Sequence, residues 1–318
     1  MKTELPTIEL ASAATNPLLG RVAWSPIKSG WYTGMTLIAL VGGPLTFTWQ
    51  AGALFLTLSA ATLCLGHSLG MHRRLIHRSY DCPKWLEYSF VYLGALVGMA
   101  GPFGLMRTHD TRDWAQRQSA CHDFFAHRQP FWRDAWWQLH CDIQLVNPPC
   151  FLPPPDLARD HFYKVLEKTW MLQQLFWALL LGWLGGVGWV IWGICVRVSV
   201  SLTGHWLIGH FAHRQGQRTY HVDGACVQGY NVRWSGLITF GECWHNNHHA
   251  YPGSAKLGLH PNQLDPGWGV LCALRATGLV WNIKLPQDIP ARKQLRLFRA
   301  VFVHTQDSSN SKLYKLNT

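Results

Sequence analysis

"SGWYTGMTLIALVGGPLTFTWQAGALFLTLSAATLCLGHSLGMH", residues 29 to 72, runs for 44 residues without one Asp, Glu, Lys or Arg. A bilayer core takes about 20 apolar residues per crossing, so the stretch is long enough for two helices. "VGGPLT" at 41 to 46 puts turn chemistry near its middle, where Gly and Pro suit a reversal. A second uncharged run, 28 residues from 169 to 196, is divided in the same way by "LGGVGW" at 184 to 189. The pattern predicts two helical hairpins, about 30–49 with 51–70 and about 168–184 with 187–206. The expected fold is an all-α, multi-pass integral membrane protein of four spans, with the remaining chain as a helical cap on one membrane face.

Composition bounds the rest. Of 318 residues 48% are hydrophobic, yet the mean hydropathy is −0.01, so only part of the chain is lipid-soluble. Both hairpin tips lack Lys and Arg, which places all 28 basic residues at the other ends and, by the positive-inside rule, places the cap in the cytoplasm. A soluble protein with very apolar core helices is the rival reading, and a 44-residue uncharged run argues against it. The N-terminus has no secretory signal pattern, so 1–28 reads as a cytoplasmic tail, 29–286 as the membrane domain and 287–318 as a basic C-terminal segment and tail. Nine scattered cysteines without a C-x-x-C pair read as reduced thiols. The net charge of +11 fits an anionic membrane surface or a phosphate-bearing substrate, and nothing resembles a nucleic-acid module.

Histidines gather at the cap ends of the spans. The first hairpin ends in "GHSLGMHRRLIHRSYD" with His67, His72 and His77, and the second in "SLTGHWLIGHFAHR" with His205, His210 and His213. "GECWHNNHHAYPGSAK", 241 to 256, adds His245, His248 and His249 at i, i+3 and i+4, on one face of a single helical turn. A polar helix end explains one such group, but histidines at lipid depth are costly without partners, and their convergence points to a polynuclear metal site. His72 and His77 are five apart, about 140° round an ideal α-helix. Either the helix breaks between them or they serve different ions.

These motifs carry a resemblance. "HRRLIHRSY" (72–80) resembles the first histidine box of membrane fatty acid desaturases of the stearoyl-CoA (Δ9) type, and "GECWHNNHHAYP" (241–252) resembles the third box of their bacterial members. "LDPGWGVLCALRATGLVWNIKLP" (264–286) is similar to the segment that follows that box. The resemblance implies O2-dependent insertion of a double bond, Δ9-type and cis, into a long acyl chain by two histidine-bound irons. The acyl chain would be carried on coenzyme A, acyl carrier protein or a lipid. No nucleotide fingerprint is present, so electrons would come from a separate ferredoxin, rubredoxin or cytochrome b5 type donor. The implied ligands are His72, His77, His109, His205, His245, His248 and His249, with His205 standing where the family has one further histidine.

The second box departs from the family pattern. Where H-x-x-H-H is expected after "GPFGLMR", the chain has "HDTRDW", keeping His109 but placing Arg112 and Asp113 at the paired histidines. Asp113 can ligate iron through its carboxylate, whereas Arg112 stays protonated and cannot. Alternatively "CHDFFAH" (121–127) supplies His122 and His127. His67 and Ser201, four residues before His205, complete the candidates, either at the metal or next to a ligand. Two other functions stay open: a hydroxylase or other oxidase on this scaffold, and a non-enzymatic metal-binding membrane protein. "FWRDAWWQLH" (131–140) and "ARKQLRLFRAVF" (291–302) mix bases with apolar residues as membrane-surface helices do, "NPPCFLPPPD" (147–156) is a stiff connection, and "SSNSKLYKLNT" is expected to be disordered.

Overall fold

The computed structural model describes residues 5–290 and 292–298. The first apolar run folds as α1 (Pro26–Leu45), a three-residue turn capped by the Thr48 side chain on Ala51 N–H, and α2 (Trp49–Ala60). Helix α2 continues without a break into a π-helical segment, Ala61–Ile76. Its neighbour α3 (Lys84–Leu96) packs on this segment at backbone contact. A Cβ at Gly66 would lie 2.4 Å from Gly94 N, and one at Gly70 would lie 2.7 Å from Phe90 O, so only glycine allows the approach.

After α3 comes α4 (Pro102–Gln116), whose first amides are held by the Glu167 carboxylate, Phe103 N at 2.8 Å and Gly104 N at 3.1 Å. Then come α5 (Asp123–Ala126), α6 (Phe131–His140), α7 (Pro155–Arg159) and α8 (His161–Thr169). The second apolar run forms α9 (Gln173–Val190), a short π-helical turn (Ile191–Val196) and α10 (Arg197–Ala212). Gly186, at φ 70° and ψ −168°, interrupts α9 in a conformation essentially reserved for glycine. Past it lie α11 (His245–Ala250) and α12 (Pro266–Ala276).

Among the described residues two helices are long and apolar enough to cross a membrane, Trp49–Ile76 of 28 residues and Gln173–Ala212 of 40. A 40-residue helix would be about 60 Å long, twice a hydrocarbon core, so the break at Gly186 falls where a reversal is needed. Their surfaces are not those of a soluble core. Leu56, Leu179 and Trp183 are 65%, 77% and 82% exposed, and large apolar side chains left in the open need lipid or a partner. Arg197, at the end of the uncharged run, is buried and satisfied by backbone and amide oxygens: Leu96 O at 2.6 Å, Gly193 O at 2.7 Å and Gln174 Oε1 at 3.0 Å.

Several expectations need correcting. The fold is mostly helical but not all-α, because among the described residues three two-stranded antiparallel sheets tie distant segments together. β1 (Ile8–Glu9) pairs with β4 (Cys150–Phe151), β2 (Gly20–Trp24) with β3 (Cys141–Leu145), and β5 (Tyr220–Val222) with β6 (Leu295–Leu297). Residues 5–28, read as a tail, therefore carry structure; Ile8 is fully buried and Thr7 hydrogen-bonds Asp110 on α4. The helix expected from 168 starts at Gln173, since α8 ends at Thr169. Segment 131–140 is helical as expected, whereas 291–302 contributes β6 rather than a helix where it is described. "SSNSKLYKLNT" lies outside the described residues.

Candidate metal centre

The π-helical segment resolves the spacing of His72 and His77. Its hydrogen bonds reach back five residues, and His77 N donates to His72 O at 3.0 Å, so residues five apart stand over one another. The two Nε2 atoms are 3.1 Å apart. The helix neither breaks nor sends the pair to different places: it widens. His109 from α4 and His248 from α11 complete the group, and all four ligand atoms lie within 4.8 Å of one another.

A second group faces it from α11 and the end of α10. His245 Nε2 is 3.0 Å from His213 Nε2 and 2.9 Å from His249 Nε2. Nitrogens bound about 2.1 Å from one centre stand roughly 3.0 to 3.4 Å apart, which is close to the spacing in both groups. "HNNHH" divides its labour within one turn. The histidines face the site, while Asn246 takes the amides of Thr219 and Tyr220 at 2.8 and 2.9 Å, and Asn247 donates to Leu257 O at 2.8 Å and Gln263 Oε1 at 2.7 Å. The asparagines lock α11 so that the imidazoles need not be placed by their own flexible ends.

Partners on the far side set the tautomers. His213 Nδ1 is 2.7 Å from Gly209 O and His109 Nδ1 is 2.9 Å from Asp110 Oδ1, so each Nδ1 carries the proton and each Nε2 offers its lone pair. His72 Nδ1 lies 2.7 Å from Glu242 Oε2, and Ser68 donates to the other oxygen of Glu242 at 2.5 Å. Burial, reinforced by neighbouring imidazoles, holds His213, His245 and His248 well below the ordinary histidine value, which keeps them neutral as ligands must be. His248 is 2% exposed, and neither ring nitrogen has a hydrogen-bond partner. Such a buried orphan costs about 1 to 3 kcal/mol unless something else takes its lone pair. A metal ion does so, and the residues present fit one.

Other sequence candidates sit elsewhere. His205 packs edge-on against His67, ring centroids 4.4 Å apart, and neither joins a group of mutually close ligand atoms among the described residues. The histidine that α10 brings to the second group is His213, eight residues on. Ser201 is buried with its hydroxyl unpartnered. His122 caps α5, its Nδ1 accepting from Phe124 N at 3.1 Å. His127 stacks on His213 at 5.3 Å with its plane 9° away, but its own nitrogens face Asp134 at 2.9 Å and Arg112 at 2.6 Å.

Arg112 and Asp113 part company. Arg112 turns to His127 and to Gln138 Oε1 at 2.7 Å, while Asp113 is paired with Arg117 at 3.0 Å rather than with Arg112. Burial would raise the Asp113 carboxyl, but His109 and Arg117 outweigh it and hold it ionised well below the usual carboxylate range. Asp134 collects His127 Nδ1, His210 Nδ1 and Trp206 Nε1 on one oxygen at 2.8 to 2.9 Å. These residues have the types for a third metal site. The Trp206 N–H, which cannot ligate, and the Arg112 cation against His127 make the cluster a hydrogen-bonded hub instead. Gly209 leaves room for it, since a Cβ there would meet His127 Nε2 at 3.3 Å.

The pattern of the fatty acid desaturase family matches residues 47–276, which contain both histidine groups. The chain belongs to the fatty acid desaturase family. Among its relatives is an sn-1 stearoyl-lipid 9-desaturase of Anabaena variabilis, 34% identical over 76% of this chain and 87% of that protein. An acyl-CoA 5-desaturase of Anemone leveillei is 32% identical over 86% of each chain. A chloroplastic palmitoyl-monogalactosyldiacylglycerol delta-7 desaturase of Arabidopsis thaliana is 34% identical over 83% of this chain and 69% of that one. The desaturase is thus an enzyme of fatty acyl desaturation, and the hydroxylase and metal-storage readings are not favoured.

Proposed function

We propose that this desaturase inserts a cis double bond at the Δ9 position of a lipid-bound acyl chain, using two irons held at the two histidine groups. His72, His77, His109 and His248 would hold one ion; His213, His245 and His249, completed by Asp113, would hold the other. The observation that carries this is the pair of neutral imidazole groups side by side on α11, with His248 left without any other partner. His205, which the family resemblance suggested as a ligand, is replaced in this assignment by His213.

Bound iron would supply the oxygen chemistry that removes two hydrogens from an unactivated methylene pair. Overall the acyl chain loses two hydrogens and O2 becomes two waters, which needs two further electrons and two protons from outside. A separate ferredoxin, rubredoxin or cytochrome b5 type donor fits, because the sequence carries no nucleotide-binding fingerprint. The chain's own residues position and shield. Asp110 and the Gly209 carbonyl orient imidazoles, Asn246 and Asn247 fix α11, and burial keeps water from the reacting carbons. An apolar groove of about 600 Å³ between α1 and the α9–α10 helix, lined by Leu40, Pro44, Phe47, Trp192, Val196 and Leu207, is where an acyl chain would approach from the bilayer. Two of the three relatives named above act, by their names, on lipid-bound chains, which favours a lipid over coenzyme A or acyl carrier protein.

Expression in a host lacking its own desaturase tests the reading. Mass spectrometry of the lipids should find new monounsaturated chains with the bond at carbon 9, attached to glycerolipid before any appears as a free thioester. A hydroxylated chain, or no new product with iron bound, would overturn it.

We further infer four spans, with α1, the apolar part of α2, and the two halves of the α9–α10 helix each crossing once and the histidine groups on the cytoplasmic side. The absence of Lys and Arg from both tips supports this orientation. Cysteines placed at Leu45 and Val187, which are 81% and 67% exposed, should react with an impermeant maleimide only from the non-cytoplasmic side, and one at the exposed Gln215 only after the membrane is opened. Labelling of all three from one side would rule the topology out.

A further inference from the structure

Two thiols meet outside the histidine groups, where the end of α4 runs beside the 223–228 loop. Cys226 N donates to Gln118 O at 2.8 Å and Val227 N to Gln116 O at 3.3 Å, so the two segments are already clamped side by side. Across this clamp Cys226 Sγ stands 3.2 Å from Cys121 Sγ, with the carbonyls of Gln116 and Ala115 at 3.5 and 3.8 Å. All nine cysteines are unbridged.

The two sulfurs differ in access. Cys121 is 2% exposed, whereas Cys226 is half-buried and lines a polar pocket of about 320 Å³. His213 lines the same pocket, with Arg128, Arg214, Gln228 and Tyr230. A small polar molecule entering this pocket therefore meets Cys226 beside His213. Its contact with Cys121 and the nearby Arg128 guanidinium favour the Cys226 thiolate against the cost of burial. Thiolate character and access are what make a cysteine oxidisable.

We propose that Cys121 and Cys226 form a peroxide-responsive dithiol, which closes to a disulfide that staples the 223–228 loop to the end of α4. The Cys226 thiolate attacks hydrogen peroxide, forming an S–O bond as the O–O bond breaks, and the departing hydroxide is protonated to water. The Cys121 thiol then displaces water from the Cys226 sulfenic acid, forming the S–S bond as the S–O bond breaks. The thiols lose two electrons and two protons in all, and the peroxide is reduced to two waters. Incomplete reduction of O2 at the histidine groups is the nearest source of peroxide, and that part alone rests on the desaturase reading above. The staple would restrain the helix that carries His109 and Asp113, and it would protect Cys226 from irreversible oxidation.

The test uses the full-length protein in its membranes. Hydrogen peroxide is added, remaining thiols are alkylated with N-ethylmaleimide, and the protein is digested without reduction for mass spectrometry. The expected result is a Cys121–Cys226 linked peptide that disappears when dithiothreitol precedes alkylation. Cys121→Ser should leave Cys226 as a sulfenic acid trapped by dimedone, whereas Cys226→Ser should leave Cys121 reduced and alkylated. Both thiols alkylated in full after peroxide, or Cys121 oxidised equally fast in the Cys226→Ser variant, would overturn the proposal. Because the peroxide is added, a missing link counts against the dithiol and not against desaturation.

Discussion

His248→Ala is expected to abolish desaturated product, a loss of at least about 100-fold, and to lower bound iron while the chain still inserts in the membrane. Changes to residues that only touch a ligand typically cost about 10 to 100-fold, so a larger loss together with missing metal separates the two roles. Metal analysis on detergent-purified protein, set beside product analysis, makes the measurement. The physical reason is the state of the imidazole, buried to 2% exposure with neither nitrogen hydrogen-bonded. Removing such a group from the metal-free chain relieves an unsatisfied polar burden and should cost little stability. The helices that carry the site are held by apolar packing, as at the Gly66–Gly94 contact, and not by the ions. Full iron with normal turnover in His248→Ala would remove it from the site.

The contrast between His248 and His205 shows what the sequence could and could not reveal. Charge-free runs and turn glycines locate the apolar helices to within a few residues, because the bilayer imposes length and composition on any segment that crosses it. Three histidines in "HNNHH" are legible because one turn of helix fixes their direction. His205 and His213 both lie toward the C-terminal end of α10, and sequence alone does not say which turn meets α11. Eight residues are about 12 Å of helix, and that length decides the matter for His213. One signal was available: His213 directly follows the last residue of α10, whereas His205 sits two turns inside the helix.

Two further features escape periodicity altogether. The widening of residues 61–76 to a π-helix brings His72 over His77, and no count of i, i+3 and i+4 positions anticipates a hydrogen bond that reaches five residues back. The N-terminal strands are equally silent in the sequence, since β1 has two residues and owes its place to Ile8 burying against Trp114, Phe125 and their neighbours. Local propensity says little about a segment whose structure comes from distant partners.

Asp113 carries the remaining prediction, because the second box exchanges two neutral imidazoles for one anion and one cation, of which only the anion faces the histidine groups. If the carboxylate completes the second ion's ligands, Asp113→Asn should lose about half of the bound iron and nearly all product, since a neutral amide is a much poorer ligand. Asp113→His should retain iron and part of the activity. Arg112→His should not substitute for it: Arg112 faces His127 and Gln138, and an imidazole there lacks the reach of the guanidinium it replaces. The double change Arg112→His with Asp113→His should therefore behave like Asp113→His alone. The opposite role for Asp113 would be to pair with Arg117, 3.0 Å away, and to favour protonated His109 electrostatically. In that case Asp113→Asn keeps both irons, and Asp113→His, which sets an imidazole against Arg117, turns over less well than Asp113→Asn. The iron content of Asp113→Asn thus decides the question, and it does so without reference to which lipid the enzyme is given.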